Sequence, residues 1–233
     1  MNRPLISLQN LCFAYPNSPL ILEKVNLSIN PGDFIGVIGP NGGGKTTLLR
    51  LLAGFLLPSK GAIHQKPSLS IGYVPQVPKL DRDFPITTFS FILTGIVSQS
   101  LWFGKYPKKW LEKAESLLDK LGLAEHRNKP IGSLSGGLLQ KTLIGKALLS
   151  EPDLLLLDEP TSNVDAKAKQ DIFAILESFS KERALLMVTH DWKVATDHFK
   201  NFWCVNKNVS QISKEKLCEH FTLGLYHPLE GSS

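Results

Sequence analysis

Cysteine is scarce in this chain: Cys12, Cys204 and Cys218 are the only three in 233 residues. They form no CxxC pair, and an odd, widely spaced set argues against a disulfide framework and suits a reducing compartment. Long apolar runs are missing as well. A bilayer span needs about 18–20 such residues, whereas Phe91–Val97 is short and broken by Thr94 and Gly95. The first ten residues, MNRPLISLQN, contain no apolar h-region and no small-residue cleavage site, so neither a signal peptide nor a transmembrane segment is expected. There is no arginine-rich tract with interleaved aromatics, which excludes nucleic acid as the expected partner. Internal repeats and low-complexity stretches are absent too. The charge excess is mild, 26 basic against 21 acidic residues for a net +5, and leaves room for an anionic ligand or an anionic membrane face.

What remains is an ordinary globular composition, 42% hydrophobic and 20% charged, which excludes a wholly disordered chain. The length suits one large domain, or one domain with an inserted lobe, and needs no staples to bury a core. Near the N-terminus, Leu11, Phe13 and Tyr15 are spaced to share one strand face, and Val25, Leu27 and Ile29 another. Asn30-Pro31-Gly32-Asp33 has proline and glycine where a type II turn wants them. Phe34–Ile38, Ile71–Val74, Leu154–Leu157 and Ala184–Val188 are short apolar runs, the last two as apolar as a central parallel strand covered on both faces. Lys45–Leu52, Trp110–Leu121 and Gln140–Leu149 carry helical patterns, and the stretch from about Pro85 to Ser150 reads as a mainly helical insert. Phe202–Val205 and Val209–Ile212 suggest a closing hairpin across Asn206-Lys207-Asn208. The tail past Leu223 carries no pattern. Strands alternating with helices point to an α/β sheet. Polar residues gather just past the strand ends, at 39–46, 76, 158–159 and 190, the carboxyl edge where open α/β sheets bind ligands.

Two motifs carry chemistry. Gly39-Pro40-Asn41-Gly42-Gly43-Gly44-Lys45-Thr46 matches G-x-x-x-x-G-K-[ST], a string that chance supplies in roughly one chain in a hundred of this length. Its glycines let backbone N–H groups fold around phosphate, and the following helix adds its N-terminal dipole. Lys45 brings a point charge to the β- and γ-phosphates, and the Thr46 hydroxyl can ligate Mg²⁺. The second motif, Asp158-Glu159, ends the leucine strand. Two acids there need a reason, because uncompensated buried charge is costly. Asp158 can hold Mg²⁺, directly or through water, and Glu159, on the other side of the strand end, can orient and activate an attacking water.

With these motifs in place, about residues 5–212 resemble the ATP-binding cassette (ABC) ATPases. Leu134-Ser135-Gly136-Gly137 is similar to the family signature, which other P-loop NTPases lack. The resemblance implies that Ser135, Gly136 and Gly137 bind the γ-phosphate held by a second subunit. It implies further that Gln76, in Tyr73-Val74-Pro75-Gln76, touches Mg²⁺ and links nucleotide to the partner. Ser162-Asn163-Val164-Asp165 resembles the D-loop, and His190 the switch histidine that contacts the γ-phosphate. Tyr15 stands where the family stacks an aromatic on adenine, with Phe13 as the competitor, and Thr47 joins the nucleotide-binding set. Two positions depart from the pattern. Leu138 replaces the signature's usual glutamine, and Gly43 and Thr46 stand where serine or alanine, and serine, are common.

The implied fold is α/β: a P-loop NTPase (RecA-like) core with an N-terminal antiparallel β-subdomain and an inserted α-helical subdomain. In that division 1–233 is a single ABC ATPase domain. Residues 1–84 and 151–223 form the nucleotide-binding core, 85–150 the helical signature subdomain, and 224–233 a tail. One phosphate loop and one signature per chain imply a homodimer holding two ATP molecules, each with Mg²⁺. Within the family, Ile71–Gln76 and Asp81-Arg82-Asp83-Phe84-Pro85-Ile86-Thr87 resemble the ATPases of manganese, zinc and iron importers. Expected partners are integral membrane permease subunits and, indirectly, a substrate-binding protein, with the chain lying peripherally on the cytoplasmic face of the inner membrane. Phe84, Phe89, Phe91, Trp102 and Phe103 are the candidate permease-docking aromatics. The alternative is a soluble ABC ATPase of an assembly system, such as iron–sulfur cluster building, which would share every motif and differ in its partner.

Overall fold

A computed structural model of the chain describes residues 3–76, 84–96, 106–162, 164–180, 183–190 and 196–215. Near the N-terminus, β1 (Ile6–Phe13) pairs antiparallel with β2 (Leu22–Ile29) on one side and with β4 (Lys60–Gln65) on the other. Simple alternation does not hold through this sheet. Asn10 and Lys24 take positive φ values of 46° and 47°, and the β1–β2 register slips between Leu8 and Leu11. Asn26 pins the irregularity: its Oδ1 accepts from Asn10 N at 2.8 Å and its Nδ2 donates to Lys24 O at 2.9 Å. The extra residue lets Leu22 and Val25 both face the core, although an odd spacing separates them. Tyr15 lies beyond the end of β1. At the Asn30–Asp33 turn, Asp33 N donates to Asn30 O at 3.2 Å and Gly32 has φ 82°, as the type II expectation required.

Among the described residues the second sheet is built from β3 (Phe34–Ile38), β5 (Ile71–Val74), β6 (Leu154–Asp158), β7 (Ala184–Val188), β8 (Asn201–Asn206) and β9 (Asn208–Ser213). Their order across the sheet is β5-β6-β7-β3-β8-β9. All pairings are parallel except β8–β9, the hairpin that turns at Lys207 (φ 59°). The leucines of β6 are fully buried because both faces are covered. Leu154 and Leu156 pack with α1 (Lys45–Leu52) and the antiparallel sheet. Leu155 and Leu157 pack with α4 (Gly136–Leu149) and α5 (Ala166–Ser180). Each such side chain contributes about 1.5–3 kcal/mol relative to exposure.

The helical insert has its own small core, where Ile92 and Leu93 of α2 (Thr88–Leu93) meet Ala114 and Leu118 of α3 (Lys108–Lys120) and Leu149 of α4. Thr87 caps α2 by accepting from Ser90 N at 3.2 Å. This packing corrects the docking expectation. Phe91 is buried, at 8% exposure, in the core shared with β6 and β7, and Phe89 lies under Arg127, whose guanidinium sits 4.1 Å from the ring centre. Phe84 is exposed, at 57%. Trp102 and Phe103 lie outside the described residues, as does Asn163 of the expected D-loop. Among the described residues no helix is long and apolar enough to cross a membrane.

Candidate active site

Four parallel strands deliver the candidate residues to one edge of the sheet. The phosphate loop follows β3, Gln76 follows β5, Asp158 ends β6, and His190 follows β7. The loop is braced from β8. At Gly39 (φ 146°) an added Cβ would stand 2.1 Å from the carbonyl oxygen of Val205, so the position accepts no side chain. Lys207 N donates to Gly43 O at 3.3 Å, and Gly43 N to Pro40 O at 3.1 Å. Asn41 is exposed at the loop's crest. Gly44 then caps α1 in the left-handed region, φ 102°.

Lys45 is buried at 7% exposure, and its Nζ donates to Gly39 O and Pro40 O, both at 2.9 Å. That leaves its third N–H for an anion in the loop. Burial lowers the pKa of Lys45, while the charges of Glu159 and Asp158 act in the opposite direction. Thr46 Oγ1 donates to Asp158 Oδ1 at 3.1 Å, so the hydroxyl and the carboxylate face the same point. Asp158 is 1% exposed. Burial raises its pKa above the usual carboxylate range, the Thr46 hydroxyl opposes that, and Glu159 pushes it further up. Thr47 is buried on α1 beneath the loop.

Glu159 adopts a left-handed backbone, φ 50°, which is strained for a non-glycine residue. Three hydrogen bonds hold it there: its N donates to Val188 O at 3.1 Å, and its O accepts from Ser162 N at 3.2 Å and Ser162 Oγ at 2.9 Å. The twist sends the two acids to different partners. While Asp158 faces Thr46, Glu159 Oε2 accepts from Gln76 Nε2 at 2.7 Å and Oε1 lies 2.5 Å from His190 Nε2. Lys45, Thr46, Asp158, Glu159, Gln76 and His190 are therefore one constellation.

Ser135, Gly136 and Gly137 are placed elsewhere. Ser135 caps α4, its Oγ accepting from Leu138 N at 3.4 Å. Gly137 packs against Val164, Asp165 and Ala168 around the start of α5. Leu138 turns into the insert's own core, which accounts for an apolar residue there. Tyr15 is half-buried and meets Phe13 edge-on, with ring centres 4.9 Å apart. Phe13 is itself 6% exposed, so of the two rings Tyr15 is the more accessible. Sequence reasoning missed the Val205 carbonyl and the Cys204 thiol, which interacts with Lys45 and whose pKa is raised by burial. A main-chain carbonyl leaves no residue-type signal, so only the structure could find that brace.

Residues 22–162 match the family described as ABC transporter. This chain belongs to that family. It is 41% identical to a probable metal transport system ATP-binding protein of Chlamydia pneumoniae, over 88% of this chain and 87% of that protein. It is 35% identical to the high-affinity zinc uptake system ATP-binding protein ZnuC of Bacillus subtilis, over 80% and 84%. Among solved structures, a metal-chelate type ABC transporter in an inward-facing conformation superposes with a TM-score of 0.84 at 30% identity, covering 94% of this chain and 88% of that one. A nucleotide-free ATP-binding cassette at 23% identity has the same fold, TM-score 0.81. The chain is thus an ATP-binding, ATP-hydrolysing subunit of an ABC transporter, and membrane permease subunits are its partners.

Proposed function

We propose that this chain is the ATPase subunit of an importer for a transition-metal ion, manganese, zinc or iron. It works as a homodimer in which each ATP lies between the phosphate loop of one copy and the signature of the other. The observation that carries the dimer is the division of the site within one chain. The Lys45–Glu159 constellation gathers at the sheet edge, while Ser135–Gly137 is held by α4 and α5. The metal reading rests on the names of the relatives and on Phe84-Pro85-Ile86-Thr87, where Ile131 N donates to Ile86 O at 3.1 Å and ties this segment to the run before the signature.

Thr46 and Asp158 fit Mg²⁺: a hydroxyl and a carboxylate, both hard oxygen donors, converge beside the phosphate loop. When bound, the ion neutralises charge on the β- and γ-phosphates. The chain's own residues do the rest. Lys45 and the loop N–H groups hold the phosphates, with Tyr15 offering a ring face to the base. Glu159 accepts the proton of the attacking water, and Gln76 and His190 hold its carboxylate in place for that step. We assign permease docking to the exposed apolar side chains Phe55 and Leu57, after α1, and Phe84, at 64%, 82% and 57% exposure. The names of the relatives, metal transport and zinc uptake system ATP-binding proteins, favour a membrane partner on the cytoplasmic face, fed by a substrate-binding protein, over a soluble scaffold. Light scattering on Glu159→Gln with and without Mg-ATP tests the dimer: a monomer-to-dimer shift is expected, and no shift with ATP demonstrably bound refutes it. Metal uptake by cells lacking the chain tests the cargo, and unchanged accumulation of all three ions refutes that part.

A further inference from the structure

The signature has to be placed relative to the rest of its own chain, and the structure shows one contact on which that placement depends. Gly137 stands so close to α5 that an added Cβ would lie 2.9 Å from the Cβ of Ala168, with Val164 Cγ1 at 3.5 Å and Asp165 Oδ2 at 3.8 Å. Real Cβ atoms do not approach that closely, so the two helices meet with a hydrogen on one side and a methyl on the other. Ala168 is itself fixed: its N donates to Asp165 Oδ1 at 2.9 Å, and Lys169 N donates to Asp165 O at 3.0 Å. One helical turn further along, Lys141 of α4 and Asp171 of α5 form an ion pair at 2.7 Å, with the lysine side chain 11% exposed. α5 begins seven residues after Glu159, and the turn that starts this connection is fixed by Ser162, which bonds twice to the Glu159 carbonyl.

We propose that Ala168 is a positioning residue for ATP hydrolysis. Its small side chain lets Gly137 seat against α5, and so sets the closest approach of the signature end of α4 to the helix that follows Asp158 and Glu159 in the chain. The inference rests on the two-chain reading of the site and adds to it the residue that fixes where the signature stands. The seat tolerates a smaller side chain and not a larger one. Ala168 is partly exposed but lies on a helix, where a β-branched side chain has essentially one χ1 choice and cannot swing aside freely. Ala168→Ile therefore pushes α4 off its seat without touching Lys45, Thr46 or Asp158.

The test uses the full chain with a fluorescent ATP analogue, a turnover assay and light scattering. Ala168→Ile should bind the analogue within about twofold of the native chain while kcat falls by about tenfold or more, the rate equivalent of a modest overpacking strain. In a Glu159→Gln background, Ala168→Ile should abolish the ATP-dependent dimer, and Ala168→Gly should keep both dimer and turnover. Equal dimerisation and turnover in Ala168→Ile overturn the proposal and leave the two-chain site standing. If Glu159→Gln with native Ala168 forms no dimer, the two-chain reading falls and the proposal with it. Should Ala168→Ile fail to fold, Gly137→Ala and Gly137→Ala/Ala168→Gly read the same contact. The double change moves the methyl from one helix to the other and should restore the turnover that the single change loses; no recovery overturns the proposal.

Discussion

Replacing Glu159 by glutamine separates the chemistry of this site from its architecture. The side chain keeps its size, and a left-handed φ is no harder for Gln than for Glu. Two donors now converge on the carboxylate, Gln76 Nε2 at 2.7 Å and His190 Nε2 at 2.5 Å. A glutamine offers one oxygen and one NH₂, so one contact turns donor to donor. Gln76 can answer by rotating its amide and presenting its own oxygen. What cannot be restored is a base for the proton of the attacking water. Loss of a positioned general base costs about 10²–10⁴ in rate, or about 3–5 kcal/mol on the barrier. Phosphate release at saturating Mg-ATP should therefore fall by that factor, while the affinity for a fluorescent ATP analogue stays within a few-fold and the melting temperature moves by only a few degrees. Turnover within tenfold of the native chain would refute the assignment of Glu159 as base. Loss of nucleotide binding would refute it differently, by making Glu159 a structural support of the loop.

Lys45→Ala removes the donor that spans Gly39 O and Pro40 O together with the loop's positive charge, so nucleotide affinity should drop at least tenfold by fluorescence titration; unchanged affinity means the loop is misread. Asp158→Asn should abolish hydrolysis and raise stability without Mg²⁺ at pH 7. The folded-state pKa of Asp158 is raised, chiefly by burial, so ionising it costs folding energy above that pKa, and the cost vanishes below the unfolded value. Thermal melts should show a gain of about 2–4 °C per kcal/mol relieved at pH 7, shrinking as the pH falls into the carboxylate range; a gain independent of pH contradicts the cause. Gly39→Ala forces a methyl onto the Val205 carbonyl and should cost about 3 kcal/mol, seen as a melting temperature lower by about 6–12 °C. Phe55→Asp with Phe84→Asp should leave basal turnover intact and end co-purification with the permease.

The phosphate loop and the carboxylate pair could be read because their backbone and charge demands restrict residue type. Glycine at 39 answers a carbonyl too close for any side chain, and acids after a leucine strand need a partner. The buried strands were readable for a related reason, since a strand covered on both faces admits few polar residues. Elements with weaker demands were not found. β4 is an edge strand whose burial is confined to Ala62 and Ile63, so its sequence, KGAIHQ, shows no run. α5 buries only Ile172, Phe173 and Leu176, a narrow stripe among lysines and acids. The bulge at Asn10 and Lys24 shifts Leu22 inward against the period, and a two-residue alternation has no means of announcing it. The aromatic neighbours of Phe91 in sequence suggest a surface cluster, whereas its contacts come from α4 and the sheet. The Gly137–Ala168 contact joins residues whose closeness depends on how two helices pack, which neither residue type encodes alone.

The position of β3 at the centre of the large sheet bears on how the protein is made. This strand carries the phosphate loop, yet its two neighbours, β7 and β8, are synthesised long after it: Phe34 pairs with Leu185 and Val37 with Trp203. The Val205 carbonyl and Lys207 N–H that brace the loop come from the same late stretch. A nascent chain on the ribosome thus displays the nucleotide motif long before it owns the strands that shape it. The braced form of the loop is complete only once residue 207 has left the exit tunnel. Fragments ending before β8 should carry the full motif and bind nothing. Until β7 emerges the apolar β3 lacks both of its partner strands, an interval in which the chain is exposed to aggregation.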